Sequence, residues 1–147
     1  MLFNLDKNSQ RPMIILSNNS MALLDTGADI PVWVGNEYIL QFSFHAKLVK
    51  RDISFKGFGG RANGNLYRIP QFILGDLIYP NLPIITVYNE NKPFQMILSA
   101  TMFSNLIYEI NDKDKFLNIK IPKNVSNIRH LEVKDSNGNL YILCTDN

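Results

Sequence analysis

The sequence predicts a mostly β chain, closed into a barrel or stacked as a sandwich, and a few observations carry that expectation. Short apolar runs recur along the chain, and clusters of Asn, Asp, Gly, Ser and Pro separate them at short intervals. Over residues 38–49, Leu40, Phe42, Phe44, Ala46 and Leu48 fall on one side and Gln41, Ser43, His45 and Lys47 on the other, the two-residue period of a strand. The chain has 147 residues, 46% hydrophobic and 19% charged, which suits one domain with a real core and excludes a disordered chain.

Taken in order, residues 1–10 are polar after Met1-Leu2-Phe3, either a loose terminus or a strand that pairs with another chain. Residues 13–16 and 21–24 are apolar runs around Ser17-Asn18-Asn19-Ser20, which predicts a hairpin. Residues 30–34 predict a third strand, with Pro31 marking an edge or a start. Residues 38–49 read as a strand, which makes His45 a solvated strand residue. Ile53-Ser54-Phe55-Lys56 leads into Gly57-Phe58-Gly59-Gly60 and out through residues 66–69, a hairpin whose glycines suit either a mobile lid or an ordinary loose loop. A phosphate loop would need Lys-Ser/Thr and a helix directly afterwards, and Arg61-Ala62-Asn63-Gly64 supplies neither. Strands continue at 71–74, 77–79, 83–88 and 94–98, with a turn at Gly75-Asp76 and at most a short helix at 100–105. Residues 106–110 and 116–121 form a further hairpin. The tail carries one more, 128–134 with 140–144, around Asn137-Gly138.

Net charge is +2 with Lys and Arg scattered, too little to argue for nucleic acid. The single Cys144 makes no internal disulfide, so nothing asks for an oxidising compartment. No CxxC or HExxH pattern offers a metal site, and no cofactor motif stands out. Residues 1–10 do not read as a signal peptide, and no apolar run reaches membrane-spanning length. The expectation is a cytoplasmic protein without cofactor, metal, nucleic acid or membrane partner.

One stretch carries chemistry. Ala22-Leu23-Leu24 delivers Asp25 into a Thr26-Gly27 turn, and a second apolar run leaves it after Ala28-Asp29. Asp and Gly are ordinary turn residues, but a carboxylate between two segments that should be buried is costly unless paired and is a candidate for catalysis. Arg11-Pro12-Met13-Ile14-Ile15 followed by Met21-Ala22-Leu23-Leu24-Asp25-Thr26-Gly27-Ala28-Asp29 resembles the N-terminal part of the retropepsins, the single-lobe aspartic proteases. Gly57-Phe58-Gly59-Gly60 resembles their glycine-rich flap tip, and Gln95-Met96-Ile97-Leu98 resembles the second apolar strand under the catalytic loop. The resemblance covers about residues 11–121.

The resemblance implies a closed acid-protease-like β-barrel of a single retropepsin lobe with one short helix, in a domain at 1–121. A C-terminal β-hairpin extension at 122–147 would pack on the same domain or on a dimer partner. It implies Asp25, Thr26 and Gly27 as the catalytic loop. It also implies a substrate cleft formed by Arg11, Leu23, Ala28, Asp29, Ile30, Val32, Gly57, Phe58, Gly59, Gly60, Phe94 and Ile97. Asp29 matches the residue that holds substrate backbone, and Arg11 the basic residue that reaches it from the partner subunit. Where the family usually reads apolar-apolar-Gly-Arg-Asp/Asn, this chain has Ile97-Leu98-Ser99-Ala100-Thr101. The Arg that braces the helix against the loop is missing, which would leave Asp29 dependent on Arg11, Arg61 or Arg68.

Peptide hydrolysis needs an activated water and a polarised carbonyl, and two carboxylates sharing one proton supply both. The other aspartates, Asp6, Asp52, Asp76, Asp112, Asp114, Asp135 and Asp146, lack a following Thr-Gly or Ser-Gly. The second carboxylate must come from another copy, hence a C2 homodimer acting on a peptide or protein. A catalytically weak or inactive homodimeric peptide-binding or scaffolding domain of the same fold is the alternative, and a purely structural β-domain is a third.

Overall fold

The computed structural model describes residues 1–57, 60–89, 91–136 and 139–144. The strands are β1 (Leu2–Asn4), β2 (Met13–Ile15), β3 (Met21–Asp25), β4 (Val32–Trp33), β5 (Lys47–Gly57), β6 (Gly60–Leu74), β7 (Leu77–Thr86), β8 (Met96–Ser99), β9 (Ile107–Asn111), β10 (Phe116–Lys120), β11 (Leu131–Ser136) and β12 (Asn139–Cys144). Helix α1 (Glu37–Phe44) and a 3-10 turn at Ala100–Phe103 complete the order, so the chain is mostly β. The main sheet runs β2-β3-β8-β4-β7-β6-β5, with a second sheet β1-β10-β9 and the pair β11-β12. Among the described residues no ladder joins β2 to β5, so the main sheet has two ends and the expected barrel closure is not seen as strand pairing.

Met13 faces Leu23 across the first hairpin, as the apolar runs predict. β4 begins just after Pro31 and sits between β8 and β7, so the proline marks a start and not an edge. β1 pairs with β10 of its own chain, Phe3 opposite Leu117. The turn at Gly75 takes φ +61°, a conformation that favours glycine. The core is aromatic along one line. Trp33 meets Phe44 edge-on with centroids 5.9 Å apart, and Phe44, Phe72 and Tyr79 continue at 5.8 and 6.2 Å.

The strand expected over 38–49 is corrected. Its first half is α1, and β5 begins only at Lys47. Asn36 caps the helix by accepting the Tyr38 N–H at 2.8 Å, Glu37 stands in the first turn, and His45 ends it with φ +55°. The apolar alternation misleads because Tyr38 and Phe42 are exposed, while Leu40 and partly buried Phe44, one helical turn apart, face the core. His45 is therefore an exposed helix-terminal residue and not a strand residue.

A polar cluster pins this helix to the sheet. The Glu37 carboxylate accepts hydrogen bonds from Tyr67 Oη at 2.7 Å, Thr86 Oγ1 at 2.7 Å and Asn65 Nδ2 at 2.8 Å. Burial pushes the carboxyl up, but these three hydrogen bonds and the Arg51 charge outweigh it and hold Glu37 below its ordinary value of 4.5. A depressed carboxyl stabilises the fold above the unfolded value, and that stability is lost as pH falls through the folded value. Glu37→Gln is expected to cost about 2 kcal/mol near neutrality, with the gap to wild type narrowing below pH 4.5. Thermal melts across pH check this; an equal gap at pH 3 and pH 7 (about a 10⁴-fold change in proton activity) would rule out the linkage.

The C-terminal hairpin lies on its own chain, β11 against β7 and β12 against β5 and the 3-10 turn. Leu131 and Ile142 are buried in the common core. Ser136 pairs with Asn139, and the expected Asn137-Gly138 turn falls outside the described residues.

Candidate active site

β3 pairs with β2 on one side and runs parallel to β8 on the other, bringing Asp25 level with Ser99. Leu23 and Leu24 beneath it are buried, and Ile30 to Val34 are buried beyond it. The loop between them is thus held at both ends by core. Its acid is less buried than its flanks lead one to expect, since the Asp25 side chain is 35% exposed. The Gly27 N–H donates to Asp25 Oδ1 at 3.0 Å, and the Ala28 N–H donates to the Asp25 carbonyl at 3.1 Å, closing the turn. A Cβ at position 27 would lie 3.3 Å from that same carboxylate oxygen, so glycine allows the close approach.

A cleft of ≈ 530 Å³ opens at this loop. Asp25, Gly27, Ala28, Asp29, Ile30, Val32, Gly60 and Ile97 of the expected site residues line it. Thr26 is exposed in the loop between them. Leu23 and Phe94 are buried and stand outside the lining. Gly57 ends β5 opposite Gly60 in the ladder, while Phe58 and Gly59, the expected flap tip, lie outside the described residues. Phe55 and Lys56, not among the expected site residues, also line the cleft. Their position directly before the glycines of an expected hairpin was the available signal.

Arg11 does not reach Asp29 within one chain. Its guanidinium lies 5.8 Å from the centre of the Phe94 ring, with Nη2 4.0 Å from Asp25 Oδ2. Its side chain is 58% exposed, so this pair contributes little to stability. Arg68 Nη1 donates to the Asn81 carbonyl at 2.8 Å and Arg61 Nε to Ser54 Oγ at 3.1 Å, so both bond elsewhere.

The loop is instead tied down by the segment that departs from the family pattern. The Ala100 N–H donates to the Ala28 carbonyl at 2.9 Å, and Thr101 Oγ1 donates to the Asp29 carbonyl at 2.9 Å. Ser99 Oγ, buried, lies 2.7 Å from Thr101 Oγ1 and orients it. The Thr101 hydroxyl in the 3-10 turn, backed by Ser99 at the end of β8, thus holds the loop through neutral hydrogen bonds.

Among the described residues, no group of three or more His, Cys, Asp or Glu side chains converges as a metal site would. None of their helices is long and apolar enough to cross a membrane. No protein-family model and no curated protein sequence matches the chain. Its fold is similar to that of a solved retropepsin-like aspartic protease from Rickettsia conorii. The TM-score is 0.50 at 14% identity, over 80% of this chain and 88% of that one. At that identity the likeness is one of fold.

Proposed function

We propose that the chain is a retropepsin-like aspartic endopeptidase, acting as a C2 homodimer on peptide or protein substrates in the cytoplasm. The observation that carries this reading is Asp25, half-exposed at the mouth of the cleft in an Asp-Thr-Gly turn whose Gly27 amide bonds its carboxylate at 3.0 Å. Half a site is present, and a two-fold axis beside Asp25 would complete it. With two copies of Asp25 a few ångströms apart, only one can ionise. The ionised one takes a proton from water as it attacks the scissile carbonyl, and the protonated one donates to the carbonyl oxygen. Thr26, exposed in the loop, would bond across the axis in such a dimer.

The apolar lining from Ile30, Val32, Phe55 and Ile97 supports a preference for apolar side chains beside the cut. Such pockets reward buried carbon and discriminate weakly between similar side chains. A peptide-binding domain without turnover is the second reading, and the Arg11 guanidinium 4.0 Å from Asp25 Oδ2 favours it, because it stands against the carboxylate that the reaction would use.

Concentration separates the two. With a mixed peptide library, specific activity is expected to rise with protein concentration and reach a plateau as the sedimenting species changes from monomer to dimer. Cleavage by a species that sediments as a monomer would overturn the dimeric site. Peptide binding without any cut at plateau concentration would favour the second reading.

A further inference from the structure

We propose that Arg129 is a positioning residue for the Asp25 loop: its buried guanidinium, delivered by the C-terminal extension, fixes the 3-10 turn that holds residues 28 and 29. Arg129 has no exposed surface. A guanidinium out of water is costly unless its donors are met, and two of its nitrogens bond carbonyls at one end of the turn. Nε donates to the Met102 carbonyl at 3.1 Å, and Nη2 donates to the Ser104 carbonyl. Tyr79 Oη shares the Met102 carbonyl at 2.7 Å. Burial pushes the Tyr79 phenol up, so it remains a donor. The end of a helical turn leaves carbonyls without intrahelical partners, and the rigid fork of an arginine reaches both of these at once.

The other end of the same turn makes the loop contacts. Ala100 and Thr101 bond the carbonyls of Ala28 and Asp29, each at 2.9 Å. The turn spans only Ala100–Phe103, so a displacement at Met102 is carried directly to Ala100. Arg129 is itself fixed to the main sheet. Its N–H donates to the Ile78 carbonyl at 2.7 Å, and the Ile78 N–H donates to the Asn127 carbonyl at 2.9 Å. The order of support is therefore β7, Arg129, the 3-10 turn, and the loop that carries Asp25. Arg129 touches no reacting atom. Among the described residues no carboxylate pairs with it, and Nη1 has no partner, although Nη2 lies 3.7 Å from Cys144 Sγ. An aliphatic chain would fill the same space without the cost of desolvating a charge, so the two carbonyl bonds are what the arginine adds.

The test compares native-state amide exchange in wild type and Arg129→Met, which keeps length and removes the donors. The Ala100 amide, donor to Ala28, is expected to exchange at least about tenfold faster, with the amides of the β6–β7 ladder unchanged. The effect on turnover rests on the proposed peptidase reading: kcat falls about tenfold with KM within about twofold, because a misplaced acid slows chemistry more than binding. Arg129→Lys, with the charge but not the fork, should lie between. If Arg129→Met fails to fold, Arg129→Lys decides by the same comparison. Unchanged Ala100 exchange, or acceleration equal to that of the β6–β7 ladder, overturns the proposal, the latter showing a contribution to global stability alone. A wild type without peptidase activity defeats the functional reading and leaves the exchange result to decide positioning.

Discussion

Asp25→Asn is expected to give a folded, dimerising chain whose peptide turnover is lower by about 10⁴-fold, since both the acid and the base of the proposed reaction disappear together. The structure explains why folding should survive. The Asp25 side chain is 35% exposed, and its short internal bond comes from the Gly27 N–H at 3.0 Å, which an asparagine carbonyl oxygen can accept equally well. The pair with Arg11 is long, at 4.0 Å, and exposed, so losing it costs little. Asp112→Asn is the control, because Asp112 lies outside the cleft lining, pairs among the described residues with Lys115 on the β9–β10 hairpin, and should leave turnover intact. Circular dichroism and sedimentation establish the fold and the dimer, and cleavage of a mixed peptide library gives the rate. Turnover within about tenfold of wild type in a clean preparation would remove Asp25 from the chemistry.

The loop around Asp25 was legible because it combines two strong local signals. Apolar runs on either side specify buried strands, and Asp-Thr-Gly specifies a turn between them, so element type and the candidate acid come out together. The hairpins at β2–β3, β5–β6 and β9–β10 were legible for the same reason. Helix α1 was not. Leu40, Phe42 and Phe44 satisfy a period of two, and the helical pair Leu40 and Phe44 is contained within the same set. The deciding facts were the Asn36 cap with Glu37 behind it, and the three donors awaiting Glu37 on β6 and β7. The cap is local and could have been weighed; the donors are tertiary. Ser99 and Ala100, where the resemblance expects glycine and arginine, read as losses because a sequence shows the missing charge and not the direction of the Ser99 and Thr101 hydroxyls. Arg129, between Ile128 and His130, has no local mark of burial at all, and only the docking of the tail against β7 and the 3-10 turn reveals it.

Deleting residues 124–147 is expected to lower the melting temperature by about 10–20 °C. The tail's burial is concentrated in a few groups. Leu131 and Ile142 are 4% and 3% exposed, and each such aliphatic side chain is worth about 1.5–3 kcal/mol on burial. Removing them also strips cover from the residues they meet and leaves the Ser104 carbonyl without the Arg129 guanidinium, while Met102 keeps Tyr79. Ordering the tail opposes this, so the net loss is set near 3–5 kcal/mol, a large share of the 5–15 kcal/mol that holds an ordinary domain together. Two other roles for the tail predict different results. A tail that bridges subunits would weaken association, and raising protein concentration would restore both melting temperature and activity by mass action. A tail that covers the cleft would leave the truncated chain more active. Packing on its own chain predicts a fall in melting temperature that concentration does not recover, together with faster exchange at the Ala100 amide as the 3-10 turn loses Arg129. A truncated chain melting within about 3 °C of the full one would show that the body of the fold does not depend on the hairpin.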